Sequence, residues 1–221
     1  MKAMILAAGR GERLRPFTDT TPKPLLEVAG QPLIAYQLRA LAAAGIKEVI
    51  INVSYLGHLI QTALGDGSAY GVKIHYSVEA TLLETGGGIY NALPLLGNEP
   101  FIVTSADIWT DYPFARLFNR LTKLIHLVVV NNPDFHPEGD FALQDGFLAN
   151  EGTPKFTFAN IGIYHPDLFK DCKPGAFRLV SLLRNAITQG QATGELYSGG
   201  WANIGTAEQL AQLSCQLANA R

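Results

Sequence analysis

Short β-branched apolar runs alternate with segments of helical spacing, and this alternation constrains the chain more than any other feature. Lys2–Ala8, Glu48–Val53 (EVIINV), Val72–Val78, Phe101–Ser105 (FIVTS) and Leu124–Val130 read as strands. Between them, Pro32–Ala44 repeats Ile34, Leu38 and Leu41 at helical spacing, with proline suited to a first turn and Gly45 to a stop. Gly57–Leu64, Thr85–Leu93 (closed by Pro94) and Phe114–Leu121 read as further helices. Strands that alternate with helices predict a mostly parallel central sheet with helices on both faces, an α/β class.

The last third is less regular. Asn131–Gly152 is rich in Pro, Gly, Asp and Asn and reads as a long excursion with a hairpin around Asp145-Gly146. Phe156–Tyr164 returns as a strand, and Arg178–Thr188 and Thr206–Leu217 read as helices, the second with Leu210, Leu213 and Leu217 on one face. No repeat or linker breaks the chain, so one domain over residues 1–221 is expected, with the excursion facing substrate. Apolar residues at 48% and charged residues at 16% exclude a disordered chain. No window approaches the ~18 apolar residues of a membrane span, and the start lacks the core of a signal peptide. Cys172 and Cys215 have no metal-ligand spacing and read as thiols in a reducing cytoplasm. Seventeen Lys and Arg against 19 Asp and Glu give a net charge of −2, without the basic excess of a nucleic-acid partner. The histidines at 58, 75, 126, 136 and 165 are scattered, and no Gly-x-Ser-x-Gly elbow is present.

The chemistry concentrates in Leu6–Leu25 (LAAGRGERLRPFTDTTPKPL). A strand runs into Gly9 and Gly11, and Arg10, Arg13, Arg15 and Lys23 follow. Glycines let backbone N–H groups approach a phosphate, Arg offers a planar fork, and Lys a mobile point charge. The loop after the first parallel strand is also where open α/β sheets bind ligands. A dinucleotide fingerprint needs a third glycine where Leu14 stands, and an acid about 20 residues further on that is missing, which argues against a nicotinamide-dependent oxidoreductase. A kinase-type P-loop needs Gly-Lys-Ser/Thr, whereas Lys23 is flanked by prolines. What remains is an anion loop long enough to wrap a triphosphate, weighed against a plain connection with solvated charges.

Leu-Ala-Ala-Gly-x-Gly-x-Arg-Leu followed by Pro-Lys-Pro-Leu resembles the signature of the sugar-1-phosphate nucleotidyltransferases. The resemblance continues through Gly30–Ile34, Ala44–Ile46, Leu64–Gly67, Thr85–Gly88, Asn160–Tyr164 and Trp201–Thr206, in order along nearly the whole chain. It implies a single-domain, Rossmann-like nucleotidyltransferase fold without an appended left-handed β-helix. Residues 1–130 would bind mainly nucleotide, and 131–221 would bind mainly sugar and carry the C-terminal helix. The implied reaction is attack of a sugar-1-phosphate oxygen on the α-phosphorus of a nucleoside triphosphate, with loss of pyrophosphate. Two polyanions must meet, so alignment and charge neutralisation dominate.

The resemblance implies catalytic roles for Arg13, Lys23 and Asp107. Leu6, Ala8, Gly9, Gly11, Arg13, Lys23, Glu79 and Gly87 would bind nucleotide, and Gly139, Asn160 and Asn203 would bind sugar. Asp107 and Asn203 would hold Mg²⁺, a hard ion suited to oxygen ligands. Two departures stand out. Ala106 precedes Asp107 where the family usually has glycine, and Asn203 stands where many relatives have aspartate. A non-catalytic, nucleotide-sugar-sensing relative is the reading these departures favour; intact Arg13, Lys23 and Asp107 favour an enzyme. Asp111 is a nearby alternative acid that reads better as a helix N-terminal residue.

A carboxylate at Glu79 accepts hydrogen bonds only, which leaves UTP and GTP both open. Glu84 replaces a glycine common in the family. With Pro137–Phe141 and the short length, it makes the chain most similar to members that transfer uridylyl to N-acetylmuramic acid 1-phosphate in peptidoglycan recycling. Mannose-1-phosphate guanylyl transfer is the alternative within the family. The expected partners are therefore UTP and a sugar 1-phosphate, with no membrane, in a cytoplasmic monomer or small homo-oligomer. The lactyl carboxylate of the first sugar calls for a cation, and Lys155 and Arg178 are candidates.

Overall fold

Period-two burial along the apolar runs builds a sheet with two dry faces. Ala3 and Ile5 face one side with Val49, Ile51, Ile102 and Val128, while Met4 faces the other with Ile50, Val103 and Leu127. The computed structural model describes residues 1–219. In chain order the first half contains β1 (Lys2–Leu6), β2 (Glu27–Val28), β3 (Gln31–Pro32), α1 (Leu33–Ala43), β4 (Glu48–Val53), α2 (Gly57–Leu64), β5 (Lys73–Val78), α3 (Glu84–Leu96), β6 (Phe101–Ser105) and β7 (Ile108–Thr110). The second contains β8 (Ile125–Val130), β9 (Phe141–Gln144), β10 (Phe147–Ala149), β11 (Lys155–Tyr164), α4 (Leu179–Thr188), β12 (Ala192–Tyr197), β13 (Trp201–Asn203) and α5 (Ala207–Asn219).

The main sheet has nine strands in the order β5-β4-β1-β6-β11-β8-β12-β10-β9. β1 pairs in parallel with β4 and β6, and β12 pairs in parallel with β8. β11 is inserted antiparallel between β6 and β8. The sheet is therefore parallel in its first half, as the alternating pattern predicts, with a reversed strand at its centre. α1 covers one face through Ile34, Leu38 and Leu41, and α3 and α4 cover the other through Ile89, Ala92, Leu179 and Leu183. α5 sets Leu213 against Val28, Leu33 and Ile204 in a third cluster. No helix among the described residues is long and apolar enough to cross a membrane.

Two local expectations are corrected, and one strand appears where none was expected. α3 continues through Pro94 to Leu96, because buried Leu96 anchors the last turn and Gly97 N–H closes it on Leu93 O at 2.9 Å. Proline this close to the C-terminal end removes one ladder bond without breaking the turns before it. The helix expected at Phe114–Leu121 is a single 3-10 turn over Phe114–Leu117, which places Phe114 and Leu117 in the core. β12, with Gly194 and Glu195 in its centre, becomes a strand through β8 on one side and β10 on the other. Long-range pairing there overrides weak local propensity.

Leu38 is fully buried between α1 and the sheet, whereas Leu95 on α3 is exposed. Leu38→Ala is expected to cost ~2–5 kcal/mol in urea unfolding and Leu95→Ala under ~1 kcal/mol.

Candidate active site

β1, β4 and β6 run in parallel, so the segments that follow Leu6, Val53 and Ser105 leave the sheet at one edge. Ala7 N–H donates to Asn52 Oδ1 at 2.8 Å, which fixes the start of the glycine loop to β4. Gly11 lies at φ +67°, and a Cβ there would stand 2.9 Å from Thr18 Cγ2 and 3.1 Å from Lys23 Cβ. Left-handed backbone and close approach together require glycine at this turn. Thr18 Oγ1 then donates to Gly11 O at 2.9 Å. Lys23 sits on a 3-10 turn beside Pro22 and Pro24, buried except for its end, and its Nζ donates to Asp107 Oδ2 at 2.7 Å.

Asp107 is presented by the chain leaving β6. Ala106 is buried and keeps φ out of the left-handed region, so alanine is accommodated before Asp107 without strain. β7 and β13 form a two-stranded ribbon with Asn203 opposite Ile108, and Ile204 N–H donates to Asp107 O at 2.8 Å. Asn203 Oδ1 is buried with no hydrogen-bond partner among the described residues. Thr110 Oγ1 donates to Gly200 O at 2.7 Å and Tyr197 OH donates to Asp111, bracing the ribbon from behind. Burial, reinforced by the Asp111 carboxylate, pushes the Tyr197 phenol up to about 12, so it stays a donor through the neutral range. Gly205 lets Arg13 reach the ribbon: a Cβ there would lie 3.0 Å from Arg13 Nη2.

Two cavities share Gly9, Lys23, Leu82 and Asp107. One of about 460 Å³ lies toward Leu6, Thr85 and Arg178, and one of about 440 Å³ toward Gly11, Arg13 and Gly205. A 110 Å³ side pocket reaches Asn160 and Phe158, and an open cleft of about 390 Å³ runs from there to His136, Trp201 and Asn203. Asn160 lies at φ +57° where the β11 register shifts between Phe158 and Ile161. A bulge of this kind re-aims a side chain at the edge of a sheet. Among the described residues no three or more His, Cys, Asp or Glu gather in a metal cluster, so any ion here depends on Asp107, Asn203 and substrate oxygens.

Leu6, Ala8, Gly9, Gly11, Arg13, Lys23, Asp107, Asn160 and Asn203 thus line one connected set of cavities. Glu79, Gly87 and Gly139 line none of them. Glu79 is 4% exposed; its Oε1 accepts from Asn52 Nδ2 at 2.7 Å and its Oε2 from Leu83 N–H at 3.1 Å. It braces the loop before α3. Gly87 N–H donates to Phe177 O at 3.1 Å, and a Cβ on it would stand 2.2 Å from Gly175 O. Gly139, at φ +64°, packs under Asn132 and Lys155. Arg10 lies over the Tyr55 ring at 5.9 Å and lines the 440 Å³ cavity with Gly11, Arg13 and Asp107, whereas Arg15 pairs with Asp19 at 3.3 Å on the surface. Asp111 is held by Tyr197, and Lys155 by Glu151 at 3.1 Å.

Sequence reasoning missed Asn52, His136, Asp140 and Val180. Asn52 carries a signal: it is the one polar residue in the interior of EVIINV, and a buried amide inside a strand needs partners. His136 pairs with Asp140 at 3.3 Å, and Asp140 Oδ2 accepts from Phe158 N–H at 2.8 Å; nothing local to the excursion announces that contact.

A family model described as Nucleotidyl transferase matches residues 2–141. An N-acetylmuramate alpha-1-phosphate uridylyltransferase of Neisseria meningitidis serogroup B is 49% identical over 220 residues, covering 95% of each chain. One of the same description from Caulobacter vibrioides is 34% identical, over 99% of this chain and 97% of its own. A crystal structure described as a glucose-1-phosphate thymidylyltransferase from Bacillus anthracis superposes with a TM-score of 0.87 at 22% identity, over 99% of this chain and 96% of that one, a likeness of fold. Matched over more than half its length by the family model and over nearly all of it by these relatives, the chain belongs to the nucleotidyl transferase family.

Proposed function

We propose that the chain transfers UMP from UTP to N-acetylmuramic acid 1-phosphate, giving UDP-N-acetylmuramic acid and pyrophosphate in peptidoglycan recycling in the cytoplasm. The observation that carries nucleotidyl transfer is the convergence of the Ala8–Gly11 loop, Lys23, Asp107 and the unpartnered Asn203 Oδ1 on one connected cavity system. The choice of UTP and of this sugar is supported by the two relatives matched along nearly their whole length. The chain acts as one domain, with residues 1–130 handling nucleotide and 131–221 mainly sugar.

In this reading the N–H groups of Ala8–Gly11 take the triphosphate oxygens, and Arg13 holds the β- and γ-phosphates as pyrophosphate leaves. Lys23 neutralises charge at the α-phosphate, where an oxygen of the sugar phosphate forms the new P–O bond as the bond to pyrophosphate breaks. Asn160, turned outward at the bulge, and Gly139, which shapes the excursion, belong to the sugar end. Glu79 and Gly87 support the nucleotide site from behind, through Leu83 and Phe177. Asp107 and Asn203 would hold Mg²⁺, since Asn203 carries a buried amide oxygen with no partner among the described residues, its neighbour Ile204 is bonded to the Asp107 backbone, and amide and carboxylate oxygens suit a hard cation. When bound, that ion supplies charge neutralisation for the phosphates.

A pyrophosphate-release screen with Mg²⁺, crossing four triphosphates with several sugar 1-phosphates, tests the reading. Highest turnover with UTP and N-acetylmuramic acid 1-phosphate is expected; preference for GTP with mannose 1-phosphate would overturn the choice of substrates. Lys23→Ala and Asp107→Ala are each expected to lower kcat about 10²–10³-fold with an unchanged circular dichroism spectrum. Asn203→Ala is expected to raise the Mg²⁺ concentration for half-maximal rate roughly tenfold, and Asn203→Asp to lower it, because a carboxylate adds charge to the donor set.

A further inference from the structure

Resting on that reading of the acceptor, we infer that Arg178 is the residue that recognises the carboxylate distinguishing N-acetylmuramic acid from N-acetylglucosamine, and that Glu84 positions it. Val180 lines the 460 Å³ cavity, the side pocket that reaches Asn160 and the open cleft that reaches Asn203. The start of α4 is therefore the wall between the triphosphate end and the sugar end. Arg178 stands two residues earlier, as the N-cap residue of α4, and lines the same 460 Å³ cavity. Lys23 is the other Lys or Arg that lines it, and Asp107 already engages Lys23 at 2.7 Å.

The backbone around Arg178 is held on both sides. Phe177 O accepts from the N–H groups of Gly86 and Gly87, and Leu179 N–H donates to Thr85 Oγ1 at 3.1 Å. The side chain itself is 77% exposed, and its Nε faces Glu84 Oε2 at 3.6 Å. Contact through Nε leaves the terminal Nη pair as a fork, the geometry that grips a carboxylate through two parallel bonds. Glu84 holds φ +57°, a left-handed conformation unusual for a residue with a long side chain, at the position where glycine is common in the family. A strained backbone kept at a cavity mouth points to a use for the side chain it carries.

The other basic groups near the sugar end are already engaged. His136 Nε2 lies 3.3 Å from Asp140 and Lys155 Nζ 3.1 Å from Glu151, whereas Arg178 meets Glu84 at 3.6 Å and through Nε alone. Arg178 is therefore the cation best placed for the acceptor's carboxylate.

The test compares N-acetylmuramic acid 1-phosphate with N-acetylglucosamine 1-phosphate, which lacks only the lactyl ether, by steady-state kinetics with UTP and by equilibrium binding. Arg178→Ala is expected to lower the muramate-to-glucosamine ratio of kcat/KM about 10- to 100-fold, chiefly through KM, the range of a lost charge-assisted hydrogen bond. Arg178→Lys should recover part of that ratio, and Glu84→Gly should fall between Arg178→Ala and the unmodified enzyme. A ratio within about twofold of the unmodified enzyme in Arg178→Ala, whether both acceptors suffer alike or neither does, overturns the inference while leaving uridylyl transfer intact. An unmodified enzyme that fails to use N-acetylmuramic acid 1-phosphate overturns the proposed function, and this inference with it.

Discussion

The architecture of the site depends on β1 lying between β4 and β6 with all three strands parallel. Parallel pairing brings the chain after Leu6, the side chain of Asn52 and the turn to Asp107 to one edge, although they lie far apart in sequence. The register is fixed by burial on both faces: a one-residue slip of β1 would exchange Met4 with Ala3 and Ile5 between two different clusters. The reversed strand β11 adds to the same edge by placing Ile161 opposite Thr104, so that Asn160 lies beside the end of β6. A loop without regular structure can then present backbone amides, because its ends are held by the sheet.

Electrostatics follow from that scaffold. A site for two polyanions needs positive charge, yet a crowded group of free cations would repel itself. Lys23 and Asp107 resolve this by pairing at 2.7 Å, with the lysine side chain 11% and the aspartate 36% exposed. Arg13 lines the 440 Å³ cavity with them, lying flat against Gly205. Arg10 lines the same cavity from beside Tyr55, whereas Arg15, equally visible in the sequence, pairs with Asp19 on the outer surface.

Much of the fold was legible because its signals are local and periodic. The strands Glu48–Val53 and Phe101–Ser105 and the helix Gly57–Leu64 match their expected bounds. The elements that were not legible depend on distant partners: β12 exists through β8 and β10, and β7 and β13 exist through each other. In the site, the placement of Gly11 and Lys23 on one cavity could be read from their surroundings in sequence. Glu79 could not, because a carboxylate turned toward a base and one turned into the protein look alike until Asn52 and Leu83 are seen beside it. The same holds for His136, whose partner Asp140 is a neighbour only in the folded excursion.

The contact between Asn52, Glu79 and Gly88 carries a consequence for how such a sequence can drift. A Cβ at Gly88 would stand 2.7 Å from Glu79 Oε1 and 2.8 Å from Asn52 Nδ2. Asn52 also holds Ala7, so these positions form an interlocked set beneath the phosphate loop. A mutational path that enlarges residue 88 must first shorten or neutralise one of its two neighbours, and each such step loosens Ala7. Descendants of this chain would keep all three residues or exchange them in concert.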